Sequence, residues 1–367
     1  MKKMFFLAAL AAFPLTSFAQ TQVTLYGNLQ LSVFGSRTFD GGAEQKTITR
    51  IDDTDSFLGF RGSEALGGGT NAVWQIESYV SGDGTTVNGG DGANKLASRD
   101  TYVGLESFWG TLRLGHLSDY MNEEMATMDA WSYSDTVNGL GIMTRFDSRY
   151  GNAIRYDAPD LGGLKLALIY SADEQRDNGD NAFALGIGGG YEYGGFFAKG
   201  GFMQFQDQNG NGDKSGNYWR VEGGYEDDLF VILAYQQSTQ YGAAATGDTN
   251  NVWGRSTGDY GDPLGGSSVL FGDDDKLKTQ EVALAVGYPV GAFLPHASFA
   301  LGSDVKVNGQ KLNDSGYKQF VVGADYALSE RSQLFISFGY VKYDGKIFAD
   351  GLHDKEYSFG IGMQHAF

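Results

Sequence analysis

Apolar and polar residues alternate at both ends of the chain. Val23, Leu25, Leu29, Leu31 and Val33 fall on one side of an extended strand, and Thr24, Asn28, Gln30 and Ser32 fall on the other. Near the C-terminus Tyr357, Phe359, Ile361, Met363 and Phe367 oppose Ser358, Gly360, Gly362, Gln364 and Ala366. A two-residue period marks strands with unlike faces. An apolar face against a small or polar one suits a barrel wall with lipid outside and water inside.

Between these ends the same reading predicts strands near 52–63, 70–82, 96–107, 110–117, 151–158, 163–173, 181–193, 195–207, 215–226, 229–240, 277–289, 294–303, 316–327 and 332–343. With the end strands this makes sixteen. Ser107–Gly110, Tyr193–Gly195 and Glu226–Asp228 read as tight turns, and Arg37–Lys46, Gly82–Lys95, Leu117–Tyr150 and Tyr241–Lys276 as long polar loops. Short and long connections alternate, which in an up-and-down barrel gathers the turns at one rim and the loops at the other. A soluble β-sandwich or lectin would bury the apolar strand faces and has no reason to segregate its loops. The predicted fold class is all-β, a 16-stranded antiparallel transmembrane β-barrel.

Composition agrees with that reading. Only 5 prolines occur against 55 glycines, and proline cannot donate to a strand ladder that must satisfy every backbone group inside lipid. Met1-Lys2-Lys3, the apolar stretch Phe5 to Leu15, and Ser17-Phe18-Ala19 have the layout of a cleavable signal peptide over 1–19, leaving 20–367 as the barrel domain. Removing Lys2 and Lys3 takes the formal charge from −18 to −20, which argues against a nucleic-acid partner. With no cysteine there is neither a disulfide framework nor a thiolate metal site. His116, His296, His353 and His365 show no ligand spacing, and no metal or cofactor is expected.

Thr24-Leu25-Tyr26-Gly27, Leu58-Gly59-Phe60-Arg61-Gly62, Ala72-Val73-Trp74-Gln75, Arg99 to Leu105, Gly110 to Gly115 and Arg149 to Gly163 resemble the general porins of Gram-negative bacteria, most closely the neisserial and related β-proteobacterial branch. The terminal Phe367 resembles the insertion signal of such barrels. The resemblance implies sixteen strands, a homotrimer surrounded by outer-membrane lipid and lipopolysaccharide, passage of small hydrophilic solutes and ions, and a long third loop folded into the pore. Leu117–Tyr150 is the right loop in order, and its length independently exceeds that of any tight connection.

Within that loop Met121, Met125 and Met128 recur at helical spacing, opposed by Asp119, Glu123, Ala126 and Ala130. Folded inward, the methionines would pack on the wall while Asp119 and Glu123 point across the lumen, flanked by Glu124 and Asp129; Trp131 would anchor the turn beyond. The resemblance implies a facing basic wall, which falls on Arg99 and Arg149, with Arg113 sharing inward parity with Thr111. Arg61 matches a basic family position near a turn, whereas Phe57 and His116 stand where many relatives are basic. Opposed charge across a low-dielectric constriction focuses the field. Since the local charges nearly balance and the chain is acidic, weak cation preference is expected, with near neutrality or weak anion preference as the runner-up.

Other signals carry less. Asp207 to Asp213 opens like a calcium loop, but Tyr218 occupies the position that needs a bidentate glutamate. The run Gly186 to Gly190 lies in strands and lacks the strand-to-helix context of a phosphate loop. His116 and Ser118, two apart, leave open a phospholipase-like barrel enzyme, although no third residue is placed to orient the imidazole. A sugar-specific channel or an adhesin is the remaining alternative, and Tyr102, Trp131 and Tyr133 are few and scattered for a stacking file.

Overall fold

The computed structural model describes residues 22–40, 43–44, 46–84, 96–125, 131, 137–172, 183–206, 214–227, 229–241, 274–344 and 353–367. The chain forms a closed antiparallel barrel of sixteen membrane strands. Each strand pairs with its neighbour in sequence, and the first, Gln22–Asp40, pairs with the last, His353–Ala366, from Asn28↔Ala366 through Arg37↔Tyr357. Closure leaves no unpaired edge, the condition for strands in lipid. The seam is completed by Phe367, whose N–H donates to the Gly27 carbonyl at 3.0 Å while the Gly27 N–H donates to the Phe367 carbonyl at 3.1 Å.

Alternation sorts the side chains as the sequence predicts. Leu25, Leu29 and Val33 are exposed on the outer surface, whereas Gln30, Ser32 and Ser36 are buried inside. Among the described residues the short connections between membrane strands, such as Gly68-Gly69 and Gly194-Gly195, occupy one rim. Several bounds differ from expectation. The second strand is broken into Ile48–Asp53 and Phe57–Gly67. At the break the Asp53 carboxylate accepts the N–H groups of Ser56 at 2.8 Å and Gly82 at 2.7 Å, bonds that no ladder partner supplies. The strand expected from 96 begins only at Thr101, and the last begins at His353, above the alternating file seen in the sequence.

The apolar core lies inside the barrel, between the wall and the connection from Asp119 to Ser148. One cluster joins Leu117, Tyr120, Met121 and Met125 to Ala167, Ile169 and Met203. The other joins Trp131, Val137, Leu140 and Met143 to Ala283, Ala300 and Val321. The described parts of the third loop are thus folded inward and packed along the wall.

Candidate pore constriction

Tyr120–Glu124 is a one-turn helix, shorter than the methionine spacing suggests. Asp119 caps it, accepting the Asn122 N–H at 2.7 Å. The helix sits on glycines: a Cβ on Gly188 would lie 2.2 Å from the Tyr120 ring, and one on Gly201 would lie 2.4 Å from Met121 Cγ. Gly188 and Gly190 are therefore a landing surface for Tyr120, since only residues without a Cβ let the loop approach the wall so closely. Met121 and Met125 are buried there as expected; Ala126, Met128, Asp129 and Ala130 lie outside the described residues.

Polar latches hold the rest of the loop. Arg220, fully buried on the strand Gly216–Glu226, grips Asp147 with both terminal nitrogens and donates through Nε to Gln236 at 3.0 Å. Arg145 pairs with Glu281 and donates to Thr279 at 2.9 Å. Trp131 is held on the wall: its ring stacks on His296 with centroids 3.8 Å apart, and its Nε1–H donates to Ser298 Oγ at 2.9 Å, while the turn beyond it, 132–136, lies outside the described residues. Asn138 donates to Ser337 Oγ at 2.8 Å. Charged latches inside a low-dielectric wall are strong only when paired and hydrogen-bonded, as these are.

The predicted charges come together differently from the expectation of acids on the loop facing bases across water. Asp119 does not point across the lumen; it is buried, and its carboxylate accepts the Tyr218 hydroxyl. Burial, reinforced by nearby Asp147, pushes its carboxyl up to about 7, against the Tyr218 and Asn122 hydrogen bonds and the Arg220 charge. Glu123 is exposed and meets Arg113 at 3.2 Å and also Arg155. Asp157 closes the group, 2.6 Å from Arg113 and 2.7 Å from Arg155. Glu124 meets Lys165 at 3.3 Å, and Glu192 meets Lys199 at 3.4 Å. Arg99 and Arg149 are held by wall acids, Arg99 by Asp55 at 2.6 Å and Glu77, Arg149 by Asp100 at 2.7 Å. Phe57 and Tyr79 flank the Arg99 guanidinium at 4.6 and 4.8 Å. Arg61 lies over the Tyr26 ring at 4.9 Å. Asp129, the fourth predicted acid, lies outside the described residues.

Arg155 and Arg220 were not singled out by sequence reasoning, although both have inward parity. Arg155 stands directly opposite Arg113 on the neighbouring strand, a repulsive pairing that Glu123 and Asp157 bridge. The His116 imidazole contacts the Arg99 carbonyl at 3.1 Å and the Ser118 hydroxyl donates to Asp100 at 2.7 Å, so the two side chains are engaged separately.

Known proteins resemble this chain along its whole length. The profile of the Gram-negative porin family matches residues 7–346. The major outer membrane protein P.IB of Neisseria sicca is 31% identical, with both chains fully covered, and P.IA of Neisseria meningitidis serogroup C is 28% identical, again over both full lengths. Among solved structures, an anion-selective porin from Comamonas acidovorans superposes with a TM-score of 0.70 at 21% identity, covering 95% of this chain and 100% of its own. OmpT of Vibrio cholerae, solved in a trimer form, gives 0.65 at 14% identity, covering 95% and 99%. At such identities the structural likeness concerns the fold.

Proposed function

Because the chain belongs to the Gram-negative porin family, we propose that it forms a water-filled channel through which ions and small hydrophilic solutes diffuse passively, with weak preference for cations. The protein is an outer-membrane porin. The observation that carries the selectivity is the mutual neutralisation of the constriction. Glu123 and Asp157 oppose Arg113 and Arg155, while Glu124 and Glu192 oppose Lys165 and Lys199, leaving no uncompensated basic ladder there among the described residues. The acidic excess of the chain, −18 overall, then sets the sign of the potential at the mouths. Such a potential persists over about 10 Å at 0.1 M salt.

Reversal potential across a KCl gradient tests this. A cation-selective sign is expected, and an anion-selective sign overturns the proposal. Residues 1–19 act as a signal peptide in this reading and lie outside the described residues. The tight-turn rim faces the periplasm and the long-loop rim the cell exterior. The barrel assembles as a homotrimer, through the exposed apolar face of Val23, Leu25, Leu29 and Leu31 with the closing strand. Chemical cross-linking in mild detergent should give trimers, and a product of monomer alone would refute the assembly.

A further inference from the structure

We propose that Tyr26, Phe34, Phe57, Tyr79 and Tyr102 are positioning residues that hold the lumen arginines flat on the wall, and so set the bore of the channel and its charge preference. The inference rests on the reading of the chain as a water-filled channel. Among the described residues, the contacts of the third loop fall on the strands from Gly110–Ser118 round to His353–Ala366: Glu123 on Arg113, Tyr120 on Gly188, Asp147 on Arg220, Trp131 on His296, and Asn138 on Ser337 and the Ser358 carbonyl. The arc from Gln22–Asp40 to Thr101–Ser107 lines the lumen opposite the loop, and all five rings stand on it. They point inward: Tyr26 and Phe34 share the parity of buried Gln30 and Ser32, Phe57 stands directly opposite Asn28 and Tyr79, and Tyr102 directly opposite Gln75.

The arginines that reach this surface each lie over one of the rings. Arg50 is 5.5 Å from the Phe34 centroid, Arg61 4.9 Å from Tyr26, Arg113 5.3 Å from Tyr102 and Arg149 5.9 Å from Tyr79. Arg99 is held between Phe57 at 4.6 Å and Tyr79 at 4.8 Å. A guanidinium is attracted to a ring face within about 6 Å. Arg155 and Arg220, on strands that the loop covers, lie over no ring among the described residues. The rings are themselves pressed on the wall. A Cβ on Gly59 would lie 2.3 Å from the Tyr26 ring and one on Gly360 would lie 2.4 Å from the Phe34 ring, so each ring forms a layer between a bare strand and a guanidinium.

Carboxylates alone do not fix these side chains. Asp52, Asp100, and Asp55 with Glu77 take edge N–H groups of Arg50, Arg149 and Arg99, which sets the direction of each edge but not the tilt of the plane. The ring fixes the tilt by taking one face. Arg61 isolates the effect, because no ion pair reaches it among the described residues and it rests on Tyr26, whose hydroxyl donates to Glu77 at 2.8 Å. An arginine freed from its ring would extend into the water path, narrowing it and bringing its charge nearer to passing ions, where low-dielectric walls focus the field. One ring contact changes the ratio of pinned to free guanidinium by about two- to thirtyfold.

The test compares two variants of the folded full-length protein in planar bilayers. Tyr26→Leu removes the ring, whereas Tyr26→Phe keeps it and loses only the hydroxyl bond to Glu77. Tyr26→Leu should lower the unitary conductance and shift the reversal potential across a KCl gradient towards anions, and Tyr26→Phe should stay close to the parent protein. In an Arg61→Gln background Tyr26→Leu should add nothing, since the side chain it releases is absent. Equal behaviour of the leucine and phenylalanine variants, unchanged conductance in Tyr26→Leu, or a Tyr26→Leu effect that survives Arg61→Gln would each overturn the proposal while leaving the channel reading intact. A parent protein that passes no current would instead refute the channel reading, and the proposal with it. Should Tyr26→Leu give no heat-modifiable band, Phe57→Leu with Tyr79→Leu must produce the same loss through Arg99, with Phe57→Tyr as the variant that keeps the ring.

Discussion

Arg220→Ala attacks the best-defined latch of the third loop. The guanidinium is fully buried and supplies two bonds to Asp147, one to Gln236, and contacts of 3.3 Å to the carbonyls of Met125 and Met143. Its removal strands Asp147 and takes from buried Asp119 the Arg220 charge that opposes its burial. Breaking one partner out of a buried pair costs about 3–5 kcal/mol. Applied to the seating of the loop, that is roughly a 10²- to 4 × 10³-fold fall in the ratio of seated to released loop. The barrel ladder does not pass through Arg220's side chain, so the expected damage is functional: a noisier open channel with altered unitary conductance in planar bilayers, while the barrel still migrates as a folded, heat-modifiable band. Arg220→Lys keeps the charge but loses the fork and should fall between. Burial holds the Asp147 carboxyl above its ordinary range, against the Arg220 charge, so the variant should take up a proton there and partly recover at pH 5. A quiet Arg220→Ala channel of unchanged conductance from pH 5 to 8 would refute the claim that this pair positions the loop.

Gly201→Leu should push Met121 off the wall at a cost of about 1–3 kcal/mol and alter conductance; an unchanged channel would show that the close approach has no role. The Asp119 carboxyl, pushed up to about 7 by burial, binds a proton more tightly in the seated loop than in a solvated one. Seating therefore gains as pH falls from about 7 towards 4 and loses that gain as pH rises, by up to about 4 kcal/mol, a dependence that Asp119→Asn should abolish in open-channel noise measured between pH 8 and 5. Glu123→Gln leaves Arg113 and Arg155 with Asp157 alone and should move the reversal potential towards anions, whereas buried Asp119→Asn should leave it nearly still. Deleting Phe367 removes two backbone bonds to Gly27 and a ring packed against that glycine, so surface levels of heat-modifiable protein should fall.

The alternation at Val23 to Val33 and Tyr357 to Phe367 was enough to give the barrel, its two faces and its closing seam, because in a strand each residue's side follows from its parity alone. The inward third loop was implied by the resemblance and supported by its length and its order in the chain. The partners of the charges were not. Arg99 and Arg149 read as bare wall bases, but Asp55, Glu77 and Asp100 take them up. Asp119 has the spacing of a lumen acid but lies under the helix it caps. Gly188 and Gly190 are featureless until Tyr120 lands on them. Parity is a local property, so the sequence by itself determined which residues face water and which face lipid. Register between strands and the path of a loop across the interior bring together residues far apart in sequence, and only the tertiary structure decided which charge meets which.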